Sequence, residues 1–272
     1  MSGKFWLNGR FVEGAQARLD VADRGFTLGD GLFETLAVRN GKTLRVKAHL
    51  ARLGAGARAL CIPVPYDDAA LGRALSDTTR MNGVRDGVLR LTLSRGSGAR
   101  GLAPPEKPSP TVVIAAEAGL PPETPARAIV ARSARRDEGS ALSRLKSLSY
   151  LEEVLARMEA RDAGADEALL LNTQGRIADG AASTLFVHLG DWLLTPTIED
   201  GALPGIVRAA AIRELGAVPR ALAPEDVHRA DEAVFVNSLG VRALVALDGR
   251  PIGSGKEGIW CAKLREIAHA DE

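Results

Sequence analysis

The chain is short of the residues that mark several common functional classes. Only two cysteines, Cys61 and Cys261, occur in 272 residues. That is too few for a disulfide scaffold or a cysteine-based zinc site, and it fits a reducing, cytoplasmic setting. Four scattered histidines (His49, His188, His228 and His269) show no metal-ligand spacing, and there is no HExxH, so no metal site is expected. The 35 basic and 34 acidic residues leave a formal charge of +1. This balance gives no electrostatic reason to expect nucleic acid or an anionic membrane as a partner. No stretch is long and apolar enough to span a bilayer, and the opening MSGKFWLNGR lacks the apolar core of a secretion signal. Gly29–Asp30–Gly31 has neither the Rossmann nor the Walker pattern, and no GxSxG supports a serine hydrolase. Lysine is scarce as well. Seven lysines stand against 28 arginines, so a lysine in a partly apolar context carries more weight here than it would in a lysine-rich chain.

What is present describes a folded, mixed protein. At 46% hydrophobic residues the chain can bury one large core or two smaller ones, and disorder is not expected. Asn8–Gly9 between two short apolar runs predicts an opening hairpin. Residues 23–31 read as a glycine-punctuated loop, 32–38 as a strand, and 46–60 and 69–81 as helices with apolar residues at helical spacing. Leu89, Leu91 and Leu93 alternate with Arg90, Thr92 and Ser94, as on a half-buried strand. RGSGARGLAPPEKPSP must be loop. A linker is placed at 118–125, between a small N-terminal α/β domain (1–117) and a larger C-terminal domain (126–272). In the second part, Ser149 is read as the cap of a helix to about Ala163 with Leu151, Val154, Leu155 and Met158 inward. Further strands and hairpins follow, then a helix from Gly205 to Gly216 and a last helix at 257–270. Strands and helices alternate irregularly, which predicts an α+β fold with a mixed, barrel-like sheet rather than a regular βαβ array.

A few positions are left over once structural needs are met. Lys146 stands at a helix start, where the dipole disfavours a cation. It is either a solvated lysine or one held in a partly apolar pocket for imine chemistry. The turn Gly201–Gly205 leads into Ile206–Val207–Arg208, where first-turn N–H groups can cradle a phosphate, or where the turn is simply structural. Ser238 ends an apolar strand, as a hydroxyl donor or a plain cap. Arg52 shares a helical face with Leu50 and Leu53, and either snorkels to water or binds a phosphate bidentately. Arg95 and Arg100 flank the loop after residue 94, suited to a substrate carboxylate or to solubility alone. Asp179 follows a strand, where an acid could face a ring nitrogen or solvent.

Taken in order, DRGFTLGDGLFET, HLARL, SRLKSLSYLEEVLARMEARDAGADEALLLNTQGRIADG, GALPGIVR and ADEAVFVNSLGVRALVALDG resemble the class IV aminotransferases, the fold-type IV pyridoxal-phosphate enzymes, from about Trp6 to Gly253. The resemblance implies pyridoxal 5′-phosphate bound as a Schiff base on Lys146. Arg52, the N–H groups of Ile206 and Val207, and Ser238 would hold its phosphate. Asp179 would face the pyridine nitrogen, and Phe33, Arg95, Arg100 and Tyr150 would lie on the substrate side. It also implies a homodimer whose pocket lies at the subunit interface. Three positions depart from the family pattern: Asp179 where Glu is usual, Thr184 where Asn is usual, and Val207 where Thr is usual. The loop SRGSGARG and the sequence GDGLFET are similar to 4-amino-4-deoxychorismate lyases, which release 4-aminobenzoate and pyruvate. This makes the lyase the leading expectation. A transaminase of D-amino acids, branched-chain amino acids or (R)-amines is the alternative, and an inactive cofactor-binding homologue is the third reading.

Overall fold

The computed structural model describes residues 3–271, which form two compact units. One comprises the described residues up to Leu120 with Lys146–Ser149 and Asp271; the other comprises Pro121–Leu145 and Tyr150–Ala270. The α+β expectation holds: each unit pairs a sheet with helices, and the second carries the larger, mixed sheet.

The first unit contains β1 (Lys4–Leu7), β2 (Arg10–Glu13), α1 (Arg24–Leu28), β3 (Gly31–Arg39), β4 (Lys42–Thr43), α2 (Val46–Ala59), α3 (Asp68–Met81), β5 (Gly87–Ser94) and β6 (Thr111–Ala118). Its six strands run in the order β2-β1-β6-β5-β3-β4, all antiparallel. The opening hairpin turns through Asn8 (φ 47°) and Gly9 (φ 90°), the positive-φ pair that matches the twist of the flanking strands. Leu32, Leu36, Leu89, Leu91, Leu93 and Ile114 are all buried and form one face of this sheet. Against it α2 buries Leu50, Leu53 and Ala57, and α3 buries Leu71 and Leu75. Residues 24–28 are a short helix, not loop. The Asp23 carboxylate accepts the Gly25 N–H at 2.7 Å, and Gly29 closes the helix in the left-handed region at φ 67°. Five residues are too few to show a helical period, but the Asp and Gly at its two ends are recognisable cap residues.

Residues 146–149 differ from the sequence division, which placed everything after 126 in the C-terminal domain. The Phe33 N–H donates to the Lys146 carbonyl at 2.9 Å, the Leu148 N–H donates to the Gly31 carbonyl at 2.9 Å, and Leu32 bridges Ser147. A segment more than 110 residues downstream thus pairs with the start of β3. Local pattern cannot reveal a pairing of that range.

The second unit contains β7 (Ala126–Val130), α4 (Leu151–Asp162), β8 (Glu167–Leu171), β9 (Ile177–Gly180), β10 (Thr184–Leu189), β11 (Trp192–Thr195), α5 (Ile206–Leu215), β12 (Val218–Pro219), α6 (Pro224–His228), β13 (Glu232–Asn237), β14 (Gly240–Leu247), β15 (Arg250–Pro251) and α7 (Ile259–His269). Its sheet runs β12-β11-β10-β13-β14-β7-β8-β9, with β15 on β14, and β7 is parallel to both of its neighbours. One core cluster joins Leu169, Ile177, Leu185, Phe235 and Leu247 to Val227 of α6. Another packs α5 and α7 against Phe186, Val234 and Val236.

The helix α4 corrects the sequence reading twice. Its N-cap residue is Tyr150, without a side-chain cap, rather than Ser149. Its buried face is Glu153, Ala156 and Ala160, while Leu151, Val154, Leu155 and Met158 are exposed. The two alanines let the helix approach Ala131, Ala134, Ala168, Leu170 and Ala181 closely. Glu153 is buried because Arg136 meets its carboxylate at 2.5 Å. Small size and a paired charge outweighed bulk hydrophobicity in choosing the inward face.

Candidate active site

In the first unit the pairing of residues 146–149 with β3 sets the backbone of Lys146. Its side chain is half-buried, and Nζ lies 4.3 Å from the centroid of the Phe33 ring, a cation–π distance. The Arg90 guanidinium lies 3.8 Å from the same centroid. Phe33, expected on the substrate side, is therefore placed beside the candidate reactive amine.

Arg52 does more than snorkel. Its Nε and Nη2 donate to the two oxygens of Glu34 at 2.8 and 2.7 Å, and His49 Nδ1 lies 2.6 Å from Glu34 Oε2. Glu34 and His49 are fully buried. Burial raises the Glu34 pKa, but hydrogen bonds and charge from Arg52 and His49 outweigh it and hold the carboxyl below its ordinary range. Burial also drives the His49 pKa down, and the charges of Arg52 and Lys146 push the same way, against the pull of Glu34. A carboxylate only accepts, so neutral His49 carries its proton on Nδ1 and donates it to Glu34.

Arg95 is a different case from the expectation. Its Nε and Nη2 donate to Asp30 at 2.8 and 3.0 Å, while Nη1 and Nη2 reach the carbonyls of Cys61 and Leu60 at 3.1 and 2.8 Å. Asp30, read from sequence as part of the 23–31 loop, is the acid that holds both Arg95 and the buried Arg24. Arg24 in turn donates to the carbonyls of Gly101, Leu102 and Ala103. Arg95 is thus engaged in organising the loop. Arg100, in that loop, is exposed.

In the second unit Asp179 lies on β9 and is buried. Oδ2 accepts the Leu203 N–H at 3.1 Å, the nearby Thr184 hydroxyl favours the charged form, and Oδ1 is buried with no partner. Burial pushes its pKa up to about 7, against the opposing charges of Arg136 and Arg208. Gly205 is the N-cap of α5, so the first-turn N–H groups at Ile206 and Val207 have no partner within the helix. A Cβ at Gly205 would lie 3.2 Å from both Thr184 Oγ1 and Arg208 Cβ, which explains why this corner takes glycine. Ser238 sits in the turn between β13 and β14; next to it, Asn237 donates to the Ala182 carbonyl at 3.0 Å. Tyr150 is half-buried at the head of α4.

Within the second unit, then, Asp179, Thr184, Arg208 and the start of α5 share one locality. Within the first, Lys146 adjoins Phe33, and Arg52 is tied to Glu34 and His49. Sequence reasoning missed Glu34, His49, Asp30, Arg24, Arg136 and Arg208 as members of these networks. A signal existed for one of them: His49 and Arg52 are three apart on a helix and so share a face.

The family profile described as amino-transferase class IV matches residues 31–246. A protein of Methanocaldococcus jannaschii with the provisional name branched-chain-amino-acid aminotransferase is 33% identical, over 97% of this chain and 94% of its own. The D-alanine aminotransferase of Bacillus licheniformis is 28% identical, over 94% of this chain and 92% of its own. The T.th. branched-chain amino acid aminotransferase, solved with pyridoxamine 5′-phosphate, superposes with a TM-score of 0.90 at 29% identity, covering 98% of this chain and 93% of that one. The residues here fit such a cofactor. The orphaned Oδ1 of Asp179 is a buried acceptor awaiting a donor, and a protonated pyridine nitrogen is one. Among the described residues no helix is long and apolar enough to cross a membrane.

Proposed function

The chain belongs to the class IV amino-transferase family, and on that premise we propose that it is a pyridoxal-phosphate aminotransferase acting on a branched-chain or D-amino acid with a 2-oxo acid as acceptor. Bound pyridoxal 5′-phosphate supplies an electron sink for the pair left when the bond from Cα to hydrogen breaks. Lys146 would hold the cofactor through Nζ, and its amine, once released, would take the proton from the substrate Cα and give it up again to complete the half-reaction. Arg52, the N–H groups of Ile206 and Val207, and Ser238 would bind the phosphate. Asp179 would keep the pyridine nitrogen protonated. Phe33 and Tyr150 would face the substrate side chain.

The arginine-bearing loop was one of the two motifs behind the lyase expectation, and its first arginine is engaged by Asp30 and by two backbone carbonyls. The named relatives are aminotransferases, which supports the same reading. The experiment is to add L-leucine, D-alanine or (R)-phenylethylamine to the holoenzyme and follow the near-visible band of the lysine-bound cofactor. Its conversion to the pyridoxamine form by one of them is expected. Pyruvate and 4-aminobenzoate released from aminodeoxychorismate, with no added oxo acid, would overturn the assignment in favour of the lyase. Lys146→Ala is expected to lower turnover by orders of magnitude while the protein stays folded; near-normal turnover would remove Lys146 from this role.

A cytoplasmic homodimer completes the proposal, with the exposed stripe Leu151, Val154, Leu155 and Met158 of α4 as a face for the second copy. About a two-fold axis an antiparallel pair of these helices sets Leu151 against Met158, Val154 against Leu155 and Glu152 against Arg157, a self-complementary arrangement. Leu155→Glu should shift the sedimentation of the protein to that of a monomer.

A further inference from the structure

The strongest unexplained feature is the pair of buried polar residues behind Arg52. Glu34 projects from β3 on the face that also carries Leu32 and Leu36, opposite Leu89, Leu91 and Leu93 of β5. A carboxylate in such a place is costly, and an apolar residue of similar volume is commonly as stable or more so. Here the charge is fully built in. Both oxygens of Glu34 receive the Nε and Nη2 of Arg52, and Oε2 also receives the Nδ1 proton of His49. Exposure grades outward along this line: the side chains of Glu34 and His49 are each 1% exposed and that of Arg52 is 15%. The acid and the imidazole form the floor, and the guanidinium stands at the rim.

The side-on grip fixes the plane and rotation of the guanidinium. It uses the Nε–Nη2 edge, so the edge formed by Nη1 and the second proton of Nη2 has a set direction. A planar fork recognises phosphate through two parallel N–H donors only when that direction is right. Electrostatics tie the same network to the candidate amine, since the charge of Lys146 acts on His49.

We propose that Glu34 and His49 are positioning residues that lock the Arg52 guanidinium for a phosphate monoester, the phosphate of the cofactor. The inference rests on the reading of Arg52 as a phosphate ligand. His49 sets the rotation of the Glu34 carboxylate, and Glu34 sets the plane of Arg52. Neither touches the cofactor.

The test compares binding of pyridoxal 5′-phosphate and of pyridoxal, which has the same ring and aldehyde but no phosphate, to the apoprotein. In Glu34→Gln the affinity for pyridoxal 5′-phosphate should fall about tenfold or more, the scale seen when supporting residues behind a ligand are lost, while the affinity for pyridoxal stays nearly constant. His49→Leu should do the same to a smaller degree. His49→Asn, which keeps a donor near the position of Nδ1, should restore most of the preference for the phosphorylated form. The phosphorus resonance of bound cofactor should shift in Glu34→Gln and His49→Leu and not in His49→Asn. Should Glu34→Gln fail to fold, the two His49 variants carry the comparison. Arg52→Ala separates the inference from its premise. If it leaves the ratio of the two affinities unchanged, Arg52 is not a phosphate ligand and the premise falls. If it collapses the ratio while Glu34→Gln and His49→Leu only lower Tm, the two residues are structural and the positioning role is overturned.

Discussion

Two buried carboxylates in this protein face the same cost and resolve it in opposite ways. Glu34 has both oxygens engaged by Arg52 and His49, and its pKa is held below the ordinary value despite burial. Asp179 is buried as well, yet one oxygen has no partner and its pKa rises to about 7. Desolvation is the largest influence in both cases. The number and geometry of donors decide which way each acid goes. Glu34 is complete without a ligand and therefore acts through Arg52. Asp179 is incomplete, and incompleteness at a buried acceptor is what a binding role requires. Arg136 and Arg208 lower its pKa only in part, which leaves room for a cation or N–H donor to finish the task.

The largest expected effect tests the complete acid. Glu34→Ala would leave Arg52 and His49 facing a void, and removing one partner of a buried pair costs about 3–5 kcal/mol. Denaturant unfolding of the apoprotein should show a loss of that size; a loss under about 1 kcal/mol would mean that Glu34 is not the anchor of its network. The next tests the incomplete one, with the opposite sign. A carboxyl whose folded-state pKa is raised contributes stability that is present below its unfolded value and lost as pH rises through the folded value. For Asp179 the window runs from the ordinary value of 3.8 up to about 7. Across it the apoprotein should lose on the order of 4 kcal/mol relative to Asp179→Asn. Stability curves of the two proteins that stay parallel across this window would end the contrast with Glu34. Adding pyridoxal 5′-phosphate to the wild type should flatten the slope.

A smaller effect is expected from Asp179→Glu. The longer side chain matches the residue usual in the family, so cofactor affinity should stay within about tenfold of the wild type, or improve; a larger loss would show that the pocket is built for the shorter acid. Thr184→Ala should be smallest, under about 1 kcal/mol for the loss of a hydroxyl beside an acid, and it should push the Asp179 pKa further up, readable as a shift of the same pH window. Two of the three departures from the family pattern, Asp179 and Thr184, are neighbours, and the Thr184 hydroxyl favours the charged form of the acid. The shorter acid comes with a hydroxyl to support it, so the two substitutions are best treated as one change.

Much of the fold was legible because its signals are local. The Asn8–Gly9 hairpin, the alternation of Leu89, Leu91 and Leu93, and the helix that ends at Gly216 all depend on residues within a few positions of one another. The inward face of α4 was misread because amphipathic reasoning weighs bulk, whereas close approach to a neighbouring strand favours Ala156 and Ala160. The Asp30 partner of Arg95 was not legible because a loop arginine near a strand end looks the same in sequence whether it faces a substrate or an acid of the fold.

By itself the sequence determined the alternation of elements, the family pattern and the short set of positions that hold candidate chemistry, Lys146, Arg52 and Asp179 among them. Those follow from spacing and residue type. Only tertiary structure decided that 146–149 pair with β3, that Arg52 rests on Glu34 and His49, and that one oxygen of Asp179 is left without a donor. Each of these depends on side chains or backbone brought together from distant positions, and whether a buried polar atom finds a partner is settled only when the chain has closed around it.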